Sequence, residues 1–285
     1  MSAAHDPAPT GTSTTLATRS GLTRWRWPLL GTLLAIAGTA VMDVVGLVNV
    51  LPLVLLFFLF WYLQRLSRAE IGWTWGRWRD YAVAVVYPAV VLALVGLIAW
   101  LSGAVKLAAI DWVNAVFNLQ NGLVLLIVAN GLGALVTEEG FFRGWLWASL
   151  QRAGMTGRGV LVWTSLAFAA WHVPTALLPT AFHLPLAQVP IYIANAAVIG
   201  FIWALMRQRS GSIVVTSVSH GVWNGLAYGL FGSGTTLGAL GIHNTGVFGP
   251  EIGLLGLALN LVFAAVLWLG FNRVRALAAA DMTRP

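Results

Sequence analysis

The sequence predicts an all-α polytopic membrane protein, with about eight transmembrane helices around a polar intramembrane cavity. Three observations carry this prediction. Of the 285 residues, 59% are hydrophobic and only 9% are charged, against about 25% charged in an ordinary soluble domain. The mean hydropathy is +0.82. The apolar runs are continuous, as in VLPLVLLFFLFWYL at 50–63. A membrane β-barrel would alternate polar and apolar residues instead, so the spans are helices. This composition excludes a disordered chain and leaves too few charges to coat a soluble globule. The chain has no cysteine, which excludes disulfides, thiolate metal sites and cysteine nucleophiles. The formal net charge of +7 reads as the cytoplasmic Lys and Arg of a membrane protein, not as a nucleic-acid footprint.

Residues 1–23 are rich in Ser, Thr, Ala, Pro and Gly and read as a disordered N-terminal tail. Arg24 and Arg26 precede an apolar run from Pro28, read as a first transmembrane helix in preference to a cleaved signal peptide. Further apolar segments fall near 49–64, 81–101, 121–150, 159–178, 186–206, 211–231 and 251–271. The segment 121–150 would be about 45 Å long as a helix, so it should tilt or project from the bilayer. We expect a single transmembrane domain over 24–275, with a motif core at about 120–230, and a short cytoplasmic tail at 276–285.

The basic residues give an orientation. With the N-terminus inside and eight spans, 14 of the 16 Lys and Arg residues fall on the cytoplasmic side. Only Lys106 lies outside, and Arg143 lies in or near a span. This bias predicts that both termini are cytoplasmic, in the plasma membrane of a bacterium. The loop RLSRAEIGWTWGRWRD at 65–80 interleaves Arg and Trp, which suits a segment lying on the inner interface.

Ionisable groups inside a bilayer are costly and face a cavity or a partner. Outside the loops they are Asp43, Glu138, Glu139, Arg143, His172 and His220. Asp43 sits near the outer end of the first span, where an interfacial position accounts for it. Glu139 and Arg143 are four apart and can pair on one helix face. Glu138 is rotated about 100° from Glu139 and has no basic residue four positions on. Phe168 and His172 share a face, as do His220 and Asn224. Taken singly, each His has a bland reading as a hydrogen-bonded helix contact. Counted at about 1.5 Å per residue from the segment ends, Glu138, His172, His220 and Asn224 can reach a common depth in the cytoplasmic half. The expectation is a water-filled cavity opening to the cytoplasm.

Three motifs run in order on three apolar segments: EExxxR at Glu138–Arg143, FxxxH at Phe168–His172 and HxxxN at His220–Asn224. In this the chain resembles the CPBP family of intramembrane proteases, also called the Abi or type II CAAX prenyl endopeptidase family. The resemblance covers about 120–230. It implies an eight-helix enzyme that hydrolyses a peptide bond of a membrane-associated substrate. It implies that Glu138 activates the attacking water, that His172 holds and polarises it, and that His220 and Asn224 stabilise the oxyanion. Glu139, Arg143 and Phe168 would support them. The partner would be a membrane-associated peptide or protein, either prenylated or a bacteriocin-like precursor, together with the lipid bilayer.

The residues suit that chemistry, since peptide hydrolysis needs a base for water and donors for the developing oxyanion. A serine mechanism has no support: there is no G-x-S-x-G, and Ser217 and Ser219 flank His220 without a base arrangement. No cofactor is required in this reading. The alternative is a divalent ion such as zinc held by Glu138, His172 and His220, although Asn is a poor zinc ligand and no H-E-x-x-H is present. The competing function class is a transporter or channel that uses the Glu/His/Asn cluster as a proton or ion site.

Overall fold

The structure, a computed structural model, describes residues 21–106, 112–178, 182, 184–233 and 236–282. The expected tail lies almost wholly outside the described residues. The architecture is all-α. The helices are α1 (Gly21–Val45), α2 (Leu51–Leu63), the short α3 (Arg68–Ile71) and α4 (Trp78–Leu101). They continue with α5 (Trp112–Val136), a π-helix (Glu139–Leu146), α6 (Trp147–Arg152), α7 (Gly157–Leu177) and α8 (Val189–Ser210). The chain ends with α9 (Ile213–Leu226), a second π-turn (Ala227–Phe231), the short α10 (Thr245–Phe248) and α11 (Leu254–Met282). A two-residue hairpin, β1 (Gly232–Ser233) with β2 (Thr236–Leu237), is the extended structure of the α9–α10 connection.

Among the described residues, six helices have the length and hydropathy of a membrane span: Arg24–Val45, Trp78–Leu101, Val124–Arg152, Gly157–Leu177, Leu186–Ser210 and Leu254–Arg273. The other two expected segments are helical but shorter as α-helix, with 13 residues in α2 and 14 in α9. The expected boundary at 275 is crossed by α11. Large apolar side chains face outward around the bundle, including Leu33, Val44, Leu55, Leu125 and Leu269. An apolar surface of that extent needs lipid, not water, against it. The protein is therefore an integral membrane protein.

Helix α5 packs on α9, α7 on α8, α4 on α9 and α11 on α8, so α8 and α9 are central. The α5–α9 contact is made by small residues, which let backbones approach closely. A Cβ added at Gly221 would sit 2.5 Å from the Ile127 carbonyl oxygen and 2.7 Å from Gly131 Cα. Gly221→Ala should therefore push α9 off α5. Overpacking of this kind costs about 1–3 kcal/mol. The expected result is a lower melting temperature in detergent, and reduced activity because His220 is the preceding residue. Gly133→Ala, where a Cβ meets nothing within 4 Å, should melt like the parent chain.

The connections sort onto two opposite faces. On one, the α3 region meets the turns before α7 and α9. Ile213 N–H donates to Gly72 O at 2.8 Å, and Arg152 donates to both Glu70 carboxylate oxygens at 2.6 and 2.9 Å. Arg209 pairs with Asp80 at 3.2 Å. Arg152 beside Glu70 holds that carboxyl down at about 2. Ser67 and Glu70 form a capping box that starts α3. Trp75 and Trp78 are exposed here, as an interfacial Arg/Trp segment should be.

On the other face, the α1–α2, α4–α5, α7–α8 and α9–α11 connections meet. Asn49 Nδ2 donates to Thr175 Oγ1 at 3.1 Å, His243 N–H donates to Ala104 O at 3.0 Å, and Gln188 Nε2 reaches Thr245 Oγ1 at 3.4 Å. Asp43, expected to be interfacial, lies at this face and accepts from Asn49 at 3.1 Å and Thr175 at 2.7 Å.

Candidate active site

The EEGFFRGW stretch does not continue α5 as regular α-helix. Its backbone widens into a π-helix from Glu139 to Leu146, a local form found mostly at functional sites. Gly140 is required there: a Cβ would meet the Leu135 carbonyl oxygen at 2.7 Å. The result turns the two glutamates toward different neighbours. Glu139 has no accessible side-chain surface, whereas Glu138 keeps 14% of its own.

Glu139 Oε1 accepts from Arg143 Nη1 at 3.3 Å, the pair expected from the spacing. Arg143 also donates to Gly200 O at 3.0 Å and lies 4.3 Å from the centroid of Phe168. It is fully buried, so its charge is met by a carboxylate, a carbonyl and a ring face. Phe168 thus carries two loads, since it also contacts the His172 ring edge-on at 4.5 Å.

His220 sits between the two carboxylates. Its Nδ1 is 3.1 Å from Glu139 Oε1 and its Nε2 is 3.7 Å from Glu138 Oε2. An ionised Glu139 only accepts, so Nδ1 carries a hydrogen, and Nε2 is the nitrogen turned to Glu138. Trp203 stacks on the His220 ring at 4.1 Å and 16°, which fixes its plane. His172 Nδ1 is 2.8 Å from Phe168 O. That carbonyl also only accepts, which leaves Nε2 of His172 with its lone pair. Asn224 Nδ2 donates weakly to Asn130 Oδ1 at 3.4 Å.

Glu138, His172, His220 and Asn224 all line one cavity of about 290 Å³. Among the described residues, no three His, Asp or Glu side chains converge as ligands around one ion would. Glu138, His172 and His220 thus do not form a metal-ligand set in this arrangement.

Asn49, Val50, Phe182 and Glu251 line the cavity from the connections, with Thr175 and Tyr192 from the helix ends beside them. All belong to the face opposite Arg65–Arg79, Arg152 and Arg209. Helix α5 starts at Trp112 rather than near 121, and the helical run continues through the π-helix and α6 to Arg152. Fourteen residues separate Glu138 from Arg152, or about 21 Å of helix. The site is therefore at mid-depth, and the connections that line it belong to the less basic face.

Glu251 was read as an ordinary loop charge. Its Oε1 accepts from Trp223 Nε1 at 2.8 Å at the cavity wall, and burial pushes its carboxyl up from the usual range. A chain of buried amides holds its backbone. Tyr87 donates to Asn260 at 2.7 Å, Asn260 to Asn195 at 2.9 Å, and Asn195 to Pro250 O at 2.8 Å and Glu251 O at 3.0 Å. A single Asn in each of two apolar segments, Asn195 and Asn260, was the available signal, together with a carboxylate at the first residue of the segment 251–271.

Taken together, fold and site define a polytopic membrane protein with a buried Glu/His/His/Asn constellation. Residues 120–226 match the family model described as type II CAAX prenyl endopeptidase Rce1-like. This is the family that the three motifs resemble, and the match spans all three. It supports, in general terms, a CAAX-type membrane protease, a hydrolase acting on a membrane-associated protein. A comparison with curated proteins returned no match.

Proposed function

We propose that this protein is an intramembrane endopeptidase of a bacterial plasma membrane, with both termini cytoplasmic, that hydrolyses a peptide bond with a water activated by Glu138. The observation that carries the reading is the Glu138–His220–Glu139 chain, with distances of 3.7 and 3.1 Å, whose Glu138 and His220 line the cavity. A water between Glu138 and the lone pair of His172 Nε2 loses a proton to the Glu138 carboxylate. Its oxygen attacks the peptide carbonyl carbon, and the carbonyl oxygen becomes an oxyanion. His220, an imidazolium held between the Glu138 and Glu139 carboxylates, donates from Nε2–H to that oxyanion beside Asn224 Nδ2. The C–N bond then breaks, and the proton held by Glu138 goes to the leaving amine. Glu139 and Phe168 are positioning residues. Glu139 orients the His220 ring, and the Phe168 carbonyl orients His172. Arg143 neutralises Glu139 from behind.

A transporter or channel could use the same groups, but no particular observation favours it. Cleavage of a membrane-tethered reporter peptide by the purified protein tests the reading. With water activated by Glu138 alone, strong chelators should leave the activity intact, and elemental analysis should find no stoichiometric zinc. One zinc per chain, with activity lost on stripping and restored on re-addition, would replace this mechanism with a metal-assisted one.

A further inference from the structure

Glu251 is the carboxylate of the cavity wall that the proposed mechanism leaves unused. Its Oε1 accepts from Trp223 Nε1 at 2.8 Å, a neutral donor. The described lining of the cavity contains no Lys or Arg. Glu138, the other lining glutamate, has His220 at 3.7 Å, and Glu139 has Arg143 at 3.3 Å. Of the three glutamates at the site, Glu251 alone has no cation in contact among the described residues. A charge taken out of water is costly unless it is paired. Holding the indole does not call for that charge, since a neutral amide oxygen would accept from Trp223 equally well.

The surroundings of Glu251 are aromatic. Trp223 stacks on Tyr87 at 5.5 Å and 16°, so the donor that holds Oε1 is itself fixed. The backbone is fixed too, because Asn195 Nδ2 donates to Glu251 O at 3.0 Å. Of the charged groups, Glu251 acts most strongly on the hydroxyls of both Tyr192 and Tyr228, and both tyrosines line the cavity. Phe182 meets Tyr192 with ring centroids 5.2 Å apart. A carboxylate among aromatic rings offers a cation an ion pair together with ring quadrupoles. Tyr192 also contacts the His172 ring at 5.6 Å, so this wall adjoins the histidine assigned to the attacking water.

We propose that Glu251, with Tyr192, Tyr228 and Phe182, forms a cation subsite that receives an ammonium or guanidinium group of the peptide entering the cavity. The group is a Lys or Arg side chain or an N-terminal amine. The proposal rests on the peptidase reading for the fate of that peptide, but its binding is tested apart from cleavage.

The probes are short apolar peptides that differ in one central residue, Lys, Arg or norleucine, each with an acetylated and with a free N-terminus. They are titrated by calorimetry against the purified Glu138→Gln chain, which cannot consume them. A cationic peptide should bind about tenfold more tightly than the acetylated norleucine peptide, the scale of one hydrogen bond to a charged group. A gain from Lys and Arg assigns the subsite to a side chain, and a gain from the free terminus alone assigns it to the terminal amine. Adding Glu251→Gln, which keeps an acceptor for Trp223, should erase the gain. Equal binding of all six peptides, or a gain that survives Glu251→Gln, would overturn the proposal. The comparison among peptides needs no change at Glu251, so it decides the matter even if that variant fails to fold. Cleavage is read separately in the chain with Glu138 intact. If no peptide is cut while the gain depends on Glu251, the peptidase reading fails and the cation subsite stands.

Discussion

Glu138→Gln should leave expression and melting temperature unchanged and remove cleavage. Among the described residues, the ion-pair partner of Glu138 is His220 Nε2 at 3.7 Å, and His220 keeps Glu139 at 3.1 Å when that contact is lost. Replacing its carboxylate by the isosteric amide therefore leaves no buried charge uncompensated. Chemistry is another matter, because an amide cannot accept the proton of water. Positioned general bases contribute typically about 100- to 10,000-fold, and cleavage should fall by at least that range. Thermal melting of the purified variant beside a reporter-cleavage assay checks both halves. Full activity in Glu138→Gln would remove Glu138 from the mechanism.

Arg143→Ala should have the largest effect on stability. Arg143 and Glu139 are both fully buried and 3.3 Å apart. Removing one partner of a buried pair costs about 3–5 kcal/mol, because the other charge is left uncompensated. Yield and melting temperature should fall together with activity. The double change Glu139→Gln with Arg143→Met should recover part of the stability, since both charges leave together. It should not recover full activity, because Glu139 also accepts from His220 Nδ1 at 3.1 Å and an amide there no longer enforces the ring's tautomer and orientation. The two readouts should thus separate in the double variant. If Arg143→Ala instead melts like the parent chain and fails only in cleavage, Arg143 acts on the substrate and the buried-pair account fails.

Much of the site was legible in the sequence because its residues are anomalous where they stand. A carboxylate, two imidazoles and a carboxamide at helical spacing in apolar segments have few structural explanations, and the cavity does contain Glu138, His172, His220 and Asn224. The Glu139–Arg143 pair follows from their separation of four. Two features were not legible. The π-helix at Glu139–Leu146 depends on a long-range fit: α2 presses Phe57 against Gly140, with 3.1 Å left for a Cβ. No local propensity encodes that. It also lets His220 touch both glutamates, a contact between helices that helical spacing within one segment cannot reveal.

The depth of the site was harder to read for a related reason. Depth was counted along each segment from an assumed end, and an error of nine residues at the start of α5 moves Glu138 by about 13 Å. Glu251 escaped notice because charge at a segment boundary is ordinary; only the Tyr87–Asn260–Asn195 chain, assembled from three helices, sets it in the cavity wall. The fold class needed none of this, since composition and continuous apolar runs already required a helical bundle in lipid.

The central claim is direct attack by a water activated at Glu138. Mass spectrometry of a reporter peptide cut by purified protein in ¹⁸O-labelled water, with hydroxylamine present as a competing nucleophile, tests it most directly. The account predicts two fragments, a single ¹⁸O in the newly formed carboxylate, and no hydroxamate. A hydroxamate would reveal a covalent acyl-enzyme, and an uncut reporter would mean that the Glu138–His220 pair does not hydrolyse it; either result would contradict the account.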